Sequence, residues 1–525
     1  MATLPRQTLT IEQTHERADG HALPQAAPRV QAVTWRSVLL SLLLLPVNAY
    51  WIVQMEIVRY SAHPTCASLY FNIVFALLVL TLVNRLVARF APRAALTRAE
   101  LLFVYAVLAV GSCLCGHDMF QILVPSLSWP FYYADNSNQW GTLFNPMLPR
   151  WAFVTDKDVL RGYYVGNDTL YRAVYIKAWL PVALVWSGFT GALLFVMLCI
   201  NAILRKQWTE NEKLSYPIAQ LPLQITDTQS FAPRVGLFRN RLFWIGFSVA
   251  AFVDCVNSLN VYYPNLPTIF TPGRGQGYFD IQQWITQKPW NAIGWTPVSF
   301  YPFMIGLGIL MPLDFLFSCW FFYWLWKMER VLAAAMAWDA DPRFPYANNQ
   351  GCGAYMAFCV FSIWLSRGYL IQVLRRALGF PSTLDDRMEP ISYRGALLGI
   401  LGGMSVLVWF SSAIGMGAGL GVLFFVIYFA LALAITRMRA ELGTPIHDLH
   451  FTGPDSMLTE TLGQRAFTPV QLTAFSLFFW FNRAYRSHPM PHQLESFKLA
   501  EQSRSEYRRW FWALAIFGVI GALVA

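Results

Sequence analysis

The sequence predicts an all-α fold, a polytopic transmembrane helical bundle of about 9–11 membrane segments with one or two of them re-entrant. Three observations point there. The 525 residues are 56% hydrophobic and only 13% charged, which leaves too little polar surface to cover a water-exposed particle of this size. The apolar residues fall in long runs, and the basic residues stand at the ends of those runs. The net charge of +10 is therefore read as membrane orientation, with the lipid bilayer as partner and no nucleic acid.

Residues 1–34 are polar, rich in Gln, Thr, Ala and Pro, and are expected to form a disordered cytoplasmic tail ahead of one membrane domain over 35–525. The first two spans are expected at 36–55 and 67–88, with Glu56, Arg59 and His63 in the short turn between them. Arg85, Arg89, Arg93 and Arg98 then mark the cytoplasmic side, which places the N-terminus on that side of a cytoplasmic (inner) membrane. A third span from Leu101 to Gly116 leads into the stretch 117–178, where five aspartates balance five Lys and Arg among many Trp and Tyr. That composition suits an external loop with an interfacial aromatic belt. A fourth span from Trp179 to Leu204 returns to Arg205 and Lys206, a fifth covers 242–259, and a sixth covers 298–326 before Lys327 and Arg330.

Beyond residue 353 the charge pattern conflicts with simple alternation. Segment 353–374 carries Arg367 at its middle, the pair 395–414 and 417–435 ends at Arg437 and Arg439, and 469–481 is short. Short or broken apolar segments are expected of re-entrant elements, which survive only where protein or a water cavity covers their backbone. The last segment, Trp510 to Ala525, is shorter than a usual crossing. The membrane domain is therefore expected to lack its last spans, the chain being truncated or completed by a second polypeptide, and a second chain or a homo-oligomer is the expected protein partner.

Ionisable groups inside apolar spans mark function because each is costly to bury alone. Asp314 follows Pro312 within an apolar run, Asp254 stands late in the fifth span with Asn260 beyond it, and Arg367 is a lone cation. These four are the expected substrate or ion pathway, with Arg367 pairing with Asp314; the alternative is a structural ion pair locking two helices. Glu100 fits a first-turn acid, and Asn201 fits an interhelical hydrogen bond. The eight cysteines fall mostly within apolar runs and read as packing residues; Cys113 and Cys115 near His117 and Asp118 lack a second ligand pair. His447 and His450 flank Asp448 in a Gly- and Pro-rich loop, so no metal site is expected there either. No Walker A, HExxH or GxSxG string occurs, so neither an ATP-driven pump nor an enzyme is expected, and no cofactor.

Two strings place dense charge directly after a span. The first contains Arg205, Trp208, Glu210, Glu212, Lys213, Tyr216 and Pro217; the second contains Arg437, Arg439, Glu441, Gly443 and Pro445. Plain cytoplasmic anchoring would need neither the glutamates nor the Tyr-Pro and Gly-Thr-Pro turns. Arg-x-Gln-Trp-x-Glu-x-Glu-Lys-Leu-x-Tyr-Pro and Arg-x-Arg-x-Glu-x-Gly-x-Pro resemble the cytoplasmic signatures of the oligopeptide transporter superfamily, over roughly residues 36–510, and look most like a bacterial branch of it. The resemblance implies a secondary, proton-coupled transporter (a symporter) of a polar solute such as a small peptide or metal chelate. The missing last spans depart from it, and a non-transporting scaffold or partner subunit is the alternative.

Overall fold

In the computed structural model, residues 29–227, 236–269, 278–341 and 343–525 are described. The tail expected over 1–34 lies outside the described residues as far as residue 28. From there the chain is placed, and the Val30 N–H donates to the Arg504 carbonyl at 3.0 Å. The fold is an all-α polytopic bundle. Its named strands are the two-residue antiparallel pair Phe279–Asp280 and Pro297–Val298. Among the described residues eight helices are long and apolar enough to cross a membrane, or nine if one bent pair counts as a span.

The first helix, α1 (Trp35–Val53), starts at a capping box: Thr34 accepts from the Ser37 N–H, and Ser37 accepts from the Thr34 N–H. Next come α2 (Phe71–Phe90) and α3 (Arg98–Cys115). A second capping box joins Thr97 to Glu100, whose carboxylate also takes Arg36 at 3.1 Å. Asn48 donates to Ser112 at 2.9 Å and Asn72 to Asn48 at 2.8 Å, tying α1, α2 and α3 together where no water competes. From Ala99 to Cys115 every residue of α3 is buried, so α3 is the axis of the bundle.

After a break, α3 is continued by α4 (Phe120–Ser126), and the chain crosses back in α5 (Ala173–Lys206). Then follow α6 (Arg241–Tyr262), α7 (Leu313–Ala335), α8 (Ala347–Leu365), α9 (Arg367–Leu378), α10 (Tyr393–Ala413) and α11 (Ala418–Leu442). Last are α12 (Pro469–Asn482), α13 (Pro489–Gln502) and α14 (Tyr507–Val524). Helices α5 and α10 approach closely through glycine: a Cβ at Gly403 would run into the Val196 side chain. By contrast α6 buries only Val253, and its apolar surface is left for lipid.

Two expected segments are corrected, the run 298–326 and the last one. The run 298–326 is two helices, Pro302–Gly308 and α7, because Pro312 lacks the N–H to continue the first and caps the second. Segment 353–374 is broken, as its charge pattern led one to expect: α8 and α9 meet at 66°. Segment 469–481 is only the first half of a structure that resumes, after a break, as the polar but buried α13. The final segment, α14, is 18 residues long and apolar enough to cross.

Candidate functional site

The four residues expected to form the pathway do not come together. Asp254 lies on an exposed face of α6. Asn260 donates to the Leu266 carbonyl at 2.6 Å and pins the turn after that helix. Asp314 is exposed in the first turn of α7, where it accepts from the Phe315 N–H. Pro312 starts the helix there, so Asp314 is a helix-start acid favoured by the dipole and not a mid-span carboxylate. Arg367 is exposed, donates to the Trp364 carbonyl at 2.8 Å and stands over the Trp364 ring. The bend after α8 frees that carbonyl, so Arg367 is satisfied locally and makes no pair with Asp314.

The two motifs do come together, and with each other. The segment that follows α5 lies against the end of α11. The Tyr216 N–H donates to the Ala440 carbonyl at 2.9 Å, Ser215 donates to the Glu441 carbonyl at 2.7 Å, and Arg437 pairs with Glu212 at 2.7 Å and Glu441 at 3.2 Å. Trp208 is fully buried with the Arg437 guanidinium over its ring, and the Tyr216 hydroxyl meets Thr209. Arg205 is buried and holds Glu389 and Glu210, each at 2.8 Å. Burial pushes the Glu389 carboxyl up, and Arg205 opposes the shift. Lys213 is exposed in the left-handed region, and the Pro445 carbonyl accepts from the Ser68 N–H at 2.7 Å.

Gly443 closes the second motif with φ +64, and a Cβ there would lie 2.6 Å from the Pro217 ring. Gly443→Ala should therefore cost about 1–2 kcal/mol for the left-handed backbone and about 1–3 kcal/mol for the overlap. A clear fall in thermal stability in detergent checks this; an unchanged transition would mean that Pro217 yields freely.

Sequence reasoning named Arg439 and His447 but missed their partners beneath these motifs, Glu495, His488 and His492. Arg439, buried at the end of α11, is forked onto Glu495 of α13 at 2.7 and 2.8 Å and meets His492 at 2.9 Å. Tyr70 stacks on His492. His447 shares a hydrogen bond with Ser68 at 2.9 Å, and His488 reaches the Tyr428 hydroxyl at 3.4 Å. Burial holds His447 and His492 well below the usual imidazole range, with the Arg439 charge adding to it, and takes His488 down to about 3.

Two helix breaks meet above this layer. Between α3 and α4 the chain turns at Gly116–Met119, and between α12 and α13 it turns at 483–488. A Cβ on Gly116 would lie 3.0 Å from the Ser487 Cβ, so only glycine lets the breaks touch. Asp118, from the first break, is 1% exposed and accepts from Arg486 at 2.7 and 2.8 Å and from Arg483 at 3.1 Å. Arg486 also reaches Asp448 at 3.4 Å, which pairs with His450 at 3.2 Å and accepts the Tyr485 N–H at 3.0 Å. Glu56 completes the layer. It accepts from Thr65 and from Gln121, and the Thr65 hydroxyl in turn accepts the His117 N–H. Burial raises Asp448, opposed by the Tyr485 N–H and Arg486, and burial also raises the neighbouring Asp455.

Chemically this is a buried network with more carboxyl groups (Glu56, Asp118, Asp448, Glu495) than guanidinium groups (Arg439, Arg483, Arg486). One proton on a carboxyl closes that charge gap, so the arrangement can hold a proton or a cationic group. With His63, whose ring meets that of His117, all six described histidines, of eight in the chain, belong to these layers. Among the described residues no group of three His, Cys, Asp or Glu side chains is placed to hold a metal ion. The signal in the sequence was the clustering of His447, His450, His488 and His492 around the short apolar segment 469–481.

The sequence pattern of a family of unknown function (DUF6785) matches residues 27–525, the whole bundle with both motifs and both breaks. The chain belongs to that family. No curated protein and no solved structure matches it.

Proposed function

We propose that this protein is a proton-coupled carrier of a polar organic solute, with the Asp118–Arg486–Asp448 network as its coupling centre. The observation that carries the reading is the meeting of two discontinuous helices around that network. Broken helices in membrane carriers leave backbone and charged side chains free at a covered polar site, and rocking about the break exposes the site to either face. Asp448 and Asp118 share Arg486. A proton on Asp448 weakens its hold on the guanidinium and leaves Arg486 to Asp118 alone, which couples protonation to the contact between the loop 443–453 and the second break. In this reading the motif end of the bundle faces the cytoplasm, following the basic residues there. The motifs then serve as the scaffold under the network, not as the pathway.

Proteoliposomes loaded with a pH-sensitive dye and offered pools of small amides, peptides and chelated metals test the proposal. Solute addition should move protons in step with uptake. Asp448→Asn should abolish the proton movement and leave solute exchange measurable. Absence of solute-driven proton movement for every pool sinks the carrier reading. A partner-subunit reading has one observation in its favour, the unburied apolar face of α6, and it predicts that negative result.

A further inference from the structure

Beside the first break lies a groove of about 720 Å³, between α4 with the turn after it and α12. Its wall includes Gln121, Ser126, Trp129, Phe144, Thr473 and Ser476. No Lys, Arg, His, Asp or Glu lines it. The three hydroxyl groups are spent on their own helices: Ser126 donates to the Ile122 carbonyl, Thr473 to Pro469 and Ser476 to Leu472. They therefore contribute an uncharged wall with little unmet hydrogen bonding.

Gln121 is different, because it belongs both to the groove and to the buried network. Its amide nitrogen donates to Glu56 at 2.7 Å and to the Cys115 carbonyl at 2.8 Å. Two acceptors fix the amide orientation, and the oxygen Oε1, shut off from water, has no donor. An unsatisfied buried acceptor is unfavourable, and a ligand N–H or O–H that displaces the side chains covering it would relieve it. The group in contact with that amide is the Glu56 carboxyl, which offers an anion no counter-charge. The aromatic and aliphatic remainder suits an apolar body, and the volume lies within the range of small-molecule sites.

We infer that this groove is the solute-binding vestibule, and that it takes a neutral amide- or hydroxyl-bearing organic solute with an apolar side while rejecting carboxylates. The inference rests on the carrier reading and narrows it. A free peptide carries a terminal carboxylate, for which this wall has no cation; a blocked amide does not.

Equilibrium dialysis on the full chain in lipid nanodiscs tests this with two probes of one shape, N-acetylphenylalaninamide and N-acetylphenylalanine. The amide should bind saturably and about tenfold or more tighter than the acid, since the acid loses a donor and brings a charge for which the wall has no cation. Thr473→Trp, which fills the groove from a partly exposed position, should weaken amide binding about tenfold or more with the thermal transition unchanged. Gln121→Met should shrink the difference between the probes. Equal binding of both, no saturable binding, or unaltered binding in a folded Thr473→Trp protein overturns the inference. Dialysis needs no translocation, so the two proposals fail separately. Amide binding without solute-driven proton movement sinks the carrier and keeps the groove; proton movement unaffected by Thr473→Trp does the reverse.

Discussion

Arg439→Met is expected to be the most damaging single change in the bundle. The guanidinium is 1% exposed and holds both oxygens of Glu495. Removing one partner of a buried pair leaves the other charge without solvent or counterion, at about 3–5 kcal/mol. His492 then loses the neighbour that fixes its ring nitrogens. The second half of the test separates packing from charge. In Arg439→Met/Glu495→Met the cavity is filled and no orphan charge remains, so most of the stability should return, because apolar replacements of buried pairs are often neutral. Thermal denaturation in detergent with size-exclusion profiles reads both. A single variant as stable as the parent would show that Glu495 finds another partner.

Acidification should destabilise the fold through its histidines. His447, His488 and His492 sit below the usual imidazole range in the folded chain. In the unfolded chain they titrate near their ordinary value, so the unfolded state binds more protons just below about pH 6.5, and stability falls with pH. Each such group contributes about 1.4 kcal/mol per pH unit within its window, which for His488 runs from its ordinary value down to about 3. Asp448 and Asp455 have the opposite sign. Their raised carboxyls let the folded state hold more protons above the ordinary carboxylate value, so they offset part of the loss as pH falls. Glu389 joins them and His63 joins the histidines, so four histidines against three carboxyls leave a net loss. The transition temperature should drop from about pH 7 to about pH 5, with a smaller slope in His488→Phe, whose ring suits the aromatic surroundings of Tyr428 and Tyr485. A flat profile would mean that water already reaches these rings.

The fold class was legible because lipid demands long apolar helices, and composition reports that directly. The two motifs were legible as special because Glu210, Glu212 and Glu441 have no purpose in an anchor; their partners, such as Glu212 for Arg437, lie too far along the chain to be paired by eye. The pathway residues were misplaced for one reason. Asp254, Asp314 and Arg367 stood out against apolar neighbours, but a helix start at Pro312 and a bend after Leu365 made two of those positions helix ends. Polarity at a helix end needs no buried partner. Asp118, Arg486 and Glu495 were passed over because they stand in polar stretches, and a polar stretch reads as a loop until its neighbours are seen to bury it.

The central claim is that the network between the two breaks opens to both faces of the membrane. Cys66 is a native reporter, since it lies within the field of Arg486, Asp118, Glu56 and Asp448, and burial pushes its thiol up to about 12. A membrane-impermeant thiosulfonate applied to right-side-out and, separately, inside-out vesicles, at about pH 8.5 to raise the thiolate fraction, samples that reach, and peptide mass spectrometry locates the adduct. The carrier account predicts slow labelling of Cys66 from each face, suppressed by N-acetylphenylalaninamide. Labelling from one face alone, unchanged by the amide, would contradict it.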